Sequence, residues 1–171
     1  ADAMIGAPNK GWGYAKDLLA RERVNNAQAP RTKRDIVELD RLARECRGVD
    51  GRPLIEQAGV RRKLAVLTAD FVALESAALS VIAEQMRGKE PGPAASTLKI
   101  RGSELQQRVS ETAMALLGDA GLVLGADYGS GLLHPAGRGW AERHFFRRVV
   151  TIYAGANEIQ KTIIAKSILD M

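Results

Sequence analysis

The chain has 171 residues, a net charge of +5 and a single cysteine, enough for one domain with its own hydrophobic core and no need of covalent staples. Cys46 excludes an intramolecular disulfide and a paired-cysteine zinc site, and fits a reducing cytoplasm, the expected location. Basic and acidic residues are interleaved, with no basic tract and no aromatic ladder on which bases could stack, so nucleic acid is not an expected partner. No apolar run is expected to reach the roughly 18–20 residues of a membrane span.

Residues 1–11 read as a linker rich in turn formers, and the pattern becomes helical at Trp12. Trp12, Ala15, Leu18, Leu19, Glu22 and Asn26 recur at spacings of three and four, which aligns the Glu22 carboxylate with an apolar stripe. Two readings fit. Glu22 is an edge residue paired with Arg21, Arg23 or a neighbouring helix, or it is desolvated, with a raised pKa and a chemical task. Pro30 kinks this run or restarts it at Arg31. Ile36, Leu39, Leu42 and Ala43 then give a second apolar face, with Glu38, Asp40, Arg41 and Arg44 on the wet side, and Gly48–Pro53 is a loop.

Pro53 suits an early helical position, and from Leu54 to about Met86 the apolar series Val60, Leu64, Leu67, Phe71, Leu74, Ala78, Val81 and Ile82 predicts a helix of about 45–50 Å. Gly88–Pro93 makes a corner. A further helix is expected over Ala94–Leu122, through Leu98, Ile100, Leu105, Val109, Ala113, Leu116 and Leu117, weakened modestly by Gly102. Gly121–Gly139 is a glycine-rich loop. Neither His134 nor His144 has partners at ligand spacing, so no metal site is expected.

Trp140–Ile152 resumes the helix with Phe145, Val149 and Ile152 as core candidates, and Asn157–Met171 repeats the amphipathic pattern through Ile159, Ile163, Ile164, Ser167 and Ile168. Between them lies a break, Tyr153-Ala154-Gly155-Ala156, after which Asn157 opens a helix with a capping-type side chain. Such a break is a bundle corner, or a helix start that aims free N–H groups at an anionic or carbonyl-bearing ligand. No phosphate-binding, serine-hydrolase or metalloprotease motif occurs, and no alternating strand pattern. The expected fold is all-α: an up-and-down four-helix bundle with additional short C-terminal helices.

Two segments carry a family resemblance. GWGYAKDLLARERV (Gly11–Val24) is similar to the first long helix of the C-terminal domain of acyl-CoA dehydrogenases, and IYAGANEIQKTIIAKSIL (Ile152–Leu169) is similar to that family's closing segment. ELQQRVSETA (Glu104–Ala113) extends the likeness over essentially the whole chain. The GRPLIEQAGVRRKLA corner looks most like the bacterial branch containing pimeloyl-CoA dehydrogenase large subunits.

The resemblance implies residues 12–171 as a C-terminal helical bundle, preceded by a linker from an upstream β-domain absent from this chain. It implies FAD as cofactor, an acyl-CoA substrate dehydrogenated at the α,β-bond, an electron-transfer flavoprotein as oxidant and a homodimer or homotetramer, with the isolated bundle inactive. Many members carry the catalytic carboxylate just after the tyrosine of the closing segment, where this chain has Ala154. Others carry it on the first helix in an L-x-x-E-R context, which Leu19-Ala20-Arg21-Glu22-Arg23 matches. The resemblance therefore implies Glu22 as base, the Ala154 backbone N–H as donor to the thioester carbonyl, and Gly155, Ala156 and Glu158 as flavin contacts. It is incomplete. The Arg-x-x-Phe-Gly flavin contact is replaced by CRGVDGRPL (Cys46–Leu54), and no QxxGGxG segment is recognisable in Leu117–Arg138. The alternative is a non-catalytic bundle that serves as a subunit or assembly module in a complex of this kind.

Overall fold

A computed structural model describes residues 4–90, 92–129 and 131–169; the side chains of residues 19–24, 26 and 126 lie outside the description. Six helices follow one another with no strand among the described residues: α1 (Gly11–Asn26), α2 (Ala29–Glu45), α3 (Ala58–Met86), α4 (Gly92–Leu117), α5 (Trp140–Arg147) and α6 (Asn157–Leu169). The all-α expectation holds. Helix α4 is the hub, packed against α1, α2, α3, α5 and α6.

The core forms where the apolar stripes of three helices meet. Ile36, Leu39, Leu42 and Ala43 of α2, Val60, Leu64, Leu67, Phe71, Leu74 and Ala78 of α3, and Leu98, Leu105, Val109 and Ala113 of α4 are all buried there, joined by Trp140. Each large side chain so removed from water contributes about 1.5–3 kcal/mol before the entropy of ordering it.

Helix boundaries follow local chemistry. The α1–α2 break falls at Ala27-Gln28, where Gln28 adopts φ 51°, and α2 restarts at Ala29 with Pro30 in its first turn rather than at Arg31. Pro53 does not open the long helix: a 3-10 turn over Leu54–Glu56 intervenes and α3 begins at Ala58. Helix α4 stops at Leu117 because Gly118 turns left-handed, φ 56°, and a 3-10 turn carries the chain to Leu122. Gly102 does more than weaken α4. A Cβ there would lie 2.5 Å from the Ala27 carbonyl oxygen, so the absence of a side chain lets the α1–α2 corner settle on α4.

Several apolar positions expected in the core are not covered. Phe145 is 59% and Ile152 64% exposed, whereas α5 buries Trp140, Ala141 and Arg147, and Val150 is buried just after it. Trp12 and Leu18 of α1, Ile82 of α3 and Ile159 and Ile168 of α6 also face outward. Periodicity locates an apolar face but not what covers it. Helix α3 meets the length and composition of a membrane-crossing helix, with an 18-residue window of mean hydropathy 1.7, against the expectation of no such run. Its buried edge is sealed in the bundle, and two of its acids are paired across to other helices, Asp70 with Arg108 and Glu75 with Lys33.

In the glycine-rich stretch after Leu122 the described residues form a corner built around Tyr128. Its hydroxyl donates to the Glu142 carboxylate at 2.6 Å and accepts from the Gly139 N–H at 2.7 Å, while Arg138 donates to its carbonyl. These bonds set where α5 starts. His134 accepts from the Ala136 N–H and so closes a turn, and no cluster of three metal-ligating side chains occurs among the described residues.

Candidate functional site

The turn between α5 and α6 has the least ordinary backbone among the described residues. Two successive residues, Ala154 (φ 55°) and Gly155 (φ 87°), lie in the left-handed region, and Ala154 is not a glycine. Such a conformation is unfavourable for a residue with a Cβ and persists only where the surroundings impose it. Here Gln160 imposes it. Its Nε2 donates to the Gly155 carbonyl at 3.2 Å and the Ala154 carbonyl at 3.4 Å, and a Cβ on Gly155 would come within 2.5 Å of that nitrogen. Upstream, the Val149 carbonyl accepts the N–H groups of Ile152 and Tyr153.

No acceptor among the described residues takes the N–H of Ala154, Gly155 or Ala156. These three half-buried amides adjoin the first turn of α6, whose own N–H groups are unpaired by geometry. The turn therefore concentrates donors and the positive end of a helix dipole, an arrangement suited to an oxyanion or a polarised carbonyl.

Asn157 does not cap α6. It is the first residue of the helix, buried, and its Oδ1 accepts from Lys99 Nζ at 2.8 Å and lies 3.2 Å from Ser103 Oγ. A donor-only ammonium against the amide oxygen fixes the orientation of the Asn157 side chain. Lys99 is fully buried, and burial pushes its pKa down, with Glu158 opposing the shift. Ahead of the turn, Gln107 Nε2 donates to the Arg147 carbonyl at 3.0 Å and to Thr151 Oγ1 at 3.3 Å.

The site residues expected from sequence are thus placed unevenly. Ala154, Gly155 and Ala156 form the turn; Glu158 sits exposed in the first turn of α6. The backbone of Glu22 belongs to α1, which packs on α4, but its side chain lies outside the described residues. Lys99, Ser103, Gln107 and Gln160 were not anticipated. Ser96, Lys99, Ser103, Gln106 and Ser110 are all buried and spaced three, four, three and four along α4, so a polar stripe on a hub helix was the signal available.

The comparisons agree on one family. A family model described as "Acyl-CoA dehydrogenase, C-terminal domain" matches residues 9–169. "Acyl-CoA dehydrogenase IpdE1" of Mycobacterium tuberculosis is 30% identical over 175 residues, covering 100% of this chain and 41% of the relative. "Short-chain specific acyl-CoA dehydrogenase, mitochondrial" of Bos taurus is 28% identical, covering 98% of this chain and 38% of the relative. A crystal structure of acyl-CoA dehydrogenase from Geobacillus kaustophilus superposes with a TM-score of 0.81 at 27% identity, over 98% of this chain and 41% of that one. The chain spans about two-fifths of the length of these relatives.

Proposed function

We propose, from the premise that this chain belongs to the acyl-CoA dehydrogenase family as its C-terminal domain, that it supplies the carbonyl-binding turn and the general base for α,β-dehydrogenation of an acyl-CoA thioester. The observation that carries this reading is the half-buried left-handed turn at Ala154-Gly155, whose amides have no acceptor among the described residues. An N–H donor fixed in advance stabilises the negative charge that develops on a thioester oxygen when the α-proton leaves, and needs no side chain to do so. That fits an alanine at this position.

In this proposal the Ala154 N–H donates to the thioester carbonyl oxygen, and the Glu22 carboxylate takes the α-proton. The removed proton ends on Glu22, and the β-hydrogen departs as hydride. A carboxylate can serve as such a base when desolvation raises its pKa toward the working pH. FAD, when bound, supplies the hydride acceptor. Gly155 and Ala156 fit a flavin contact because their N–H groups are unpaired and half-buried; Glu158 would lie at its edge. The α2–α3 corner offers less, since Arg47 donates to the Gly51 carbonyl at 3.0 Å and Arg52 pairs with Asp50 at 3.0 Å. That engagement favours a second reading, a bundle that assembles with a catalytic partner and carries no flavin chemistry of its own.

The outward apolar residues of α1, α3 and α6 are expected to be covered by an upstream β-domain and by a second copy of the protein, giving a homodimer or homotetramer that passes electrons to an electron-transfer flavoprotein. The test is anaerobic titration of the full-length, FAD-loaded protein with butyryl-, octanoyl- and branched or ring-bearing acyl-CoAs. Bleaching of the flavin absorbance by at least one of them is expected. A protein that binds FAD but is bleached by none supports the assembly reading instead.

A further inference from the structure

Helix α4 holds the closing segment on both sides of the Ala154 turn. Lys99, Ser103 and Gln107 stand at i, i+4 and i+8, which places them along one face of a helix. Gln107 grips the chain before the turn at the Arg147 and Arg148 carbonyls and Thr151 Oγ1, while Lys99 and Ser103 grip it after the turn at Asn157 Oδ1. The turn itself spans the gap between these two anchors.

The chemistry of the second anchor is unusual for a structural contact. A lysine with no exposed surface, bonded to a neutral amide and in no ion pair among the described residues, is an expensive way to hold two helices together. Ser103 cannot replace it, because its one hydroxyl proton is shared between the Ile100 carbonyl at 2.9 Å and Asn157. Below the turn, Gln160 reaches back to the Ala154 and Gly155 carbonyls, one helical step from Asn157. In a trans peptide the carbonyl and the following N–H point in opposite directions. Gln160 therefore turns the amides of Gly155 and Ala156 away from itself, and the φ and ψ of Ala154 fix its own N–H relative to those planes.

We infer that Lys99, acting through Asn157, is a positioning residue that fixes the direction of the Ala154 N–H, with Gln107 as the opposing anchor. Losing the Lys99–Asn157 bond lets the start of α6 shift relative to α4, and the amides of the turn move with it. The burial that lowers the Lys99 pKa fits a group kept for placement rather than for surface charge. This inference rests on the carbonyl-binding reading of Ala154.

The experiment uses the full-length, FAD-loaded protein and the same acyl-CoA series, and compares wild type with Lys99→Met, Asn157→Leu and Asn157→Asp. Stopped-flow flavin reduction should slow by about tenfold or more in Lys99→Met and Asn157→Leu, while the acyl-CoA concentration at half-maximal rate stays within about twofold, because a donor displaced by a fraction of an ångström loses transition-state more than ground-state binding. Asn157→Asp keeps an acceptor for Lys99 and should recover most of the rate lost in Asn157→Leu. A wild type reduced by acyl-CoA together with a Lys99→Met variant reduced within twofold of its rate would overturn the inference. A slower rate accompanied by lost FAD or a lowered melting temperature in Lys99→Met, with no rescue in Asn157→Asp, would overturn it too, since that pattern belongs to a purely structural contact. If no acyl-CoA reduces the wild type, the carbonyl-binding reading has failed, and amide hydrogen exchange decides the clasp: faster exchange at Tyr153–Asn157 in Lys99→Met, with α2 and α3 unchanged, supports it, and unchanged exchange overturns it.

Discussion

Asp35 and Arg147 show how single residues tie distant parts of the chain. Both are almost fully buried, with Arg147 Nη2 2.7 Å from Asp35 Oδ2. Arg143 reaches the other Asp35 oxygen at 3.3 Å, pairs also with Glu38, and lies with its guanidinium carbon 3.9 Å from the centre of the Trp140 ring. Asp35→Asn leaves Arg147 facing a neutral amide in a dry site, while Arg143 keeps Glu38, and is expected to destabilise the fold by about 3–5 kcal/mol. Replacing the pair together, Asp35→Leu with Arg147→Met, should lose far less than the two single changes summed; urea unfolding of the four proteins measures the difference. This cluster was not legible in the sequence. Asp35 sits among charged residues, and 112 positions separate it from Arg147, so nothing local marks either as buried. Ala154 was legible, because its neighbours in the closing segment are recognisable, but its left-handed φ was not: alanine gives no hint of a conformation imposed by Gln160.

At the level of elements, α2, α3 and α4 were readable because their apolar residues pack within this chain. Residues Leu39, Leu67 and Leu105 show the point, each at a predicted position and each buried. Helices α5 and α6 were readable as helices but not in their orientation. Trp140 and Ala141 turn inward while Phe145, Phe146, Ile159 and Ile168 face outward, and polar bonds tie the two helices to α4: Gln107 to the Arg147 carbonyl, Lys99 to Asn157. The α5 helix also carries a group with a pH signature. Burial lowers the pKa of His144, with Arg148 adding to the shift and Glu111 opposing it, and His144 Nδ1 has no hydrogen-bond partner among the described residues. Between that lowered value and the usual value of about 6.5, the unfolded chain binds a proton that the folded chain does not, so stability falls as pH drops through the window. Thermal melting between about pH 7.5 and 5 should show this slope, and His144→Leu should flatten it. An equal slope in the variant would assign the effect to other groups.

At the scale of the whole molecule, the family and the fold were carried by patterns that run the length of the chain, and both agree with the match over residues 9–169. The candidate site was legible only in part, for a physical reason: the donors proposed for it lie on this chain's closing turn, while the surfaces expected to enclose it, marked by Trp12, Leu18 and Ile159, are outward-facing here. Exposure of that kind is what a domain shows when its neighbours complete it. We propose a division of labour between two ends of one chain: Ala154 holds the carbonyl and Glu22 takes the α-proton. It is tested most directly by rapid mixing of the full-length, FAD-loaded Glu22→Gln variant with an acyl-CoA that bleaches the wild type, under anaerobic conditions. The acyl-CoA should still bind, and flavin reduction should slow by about a hundredfold to ten-thousandfold. Reduction at the wild-type rate would contradict this division.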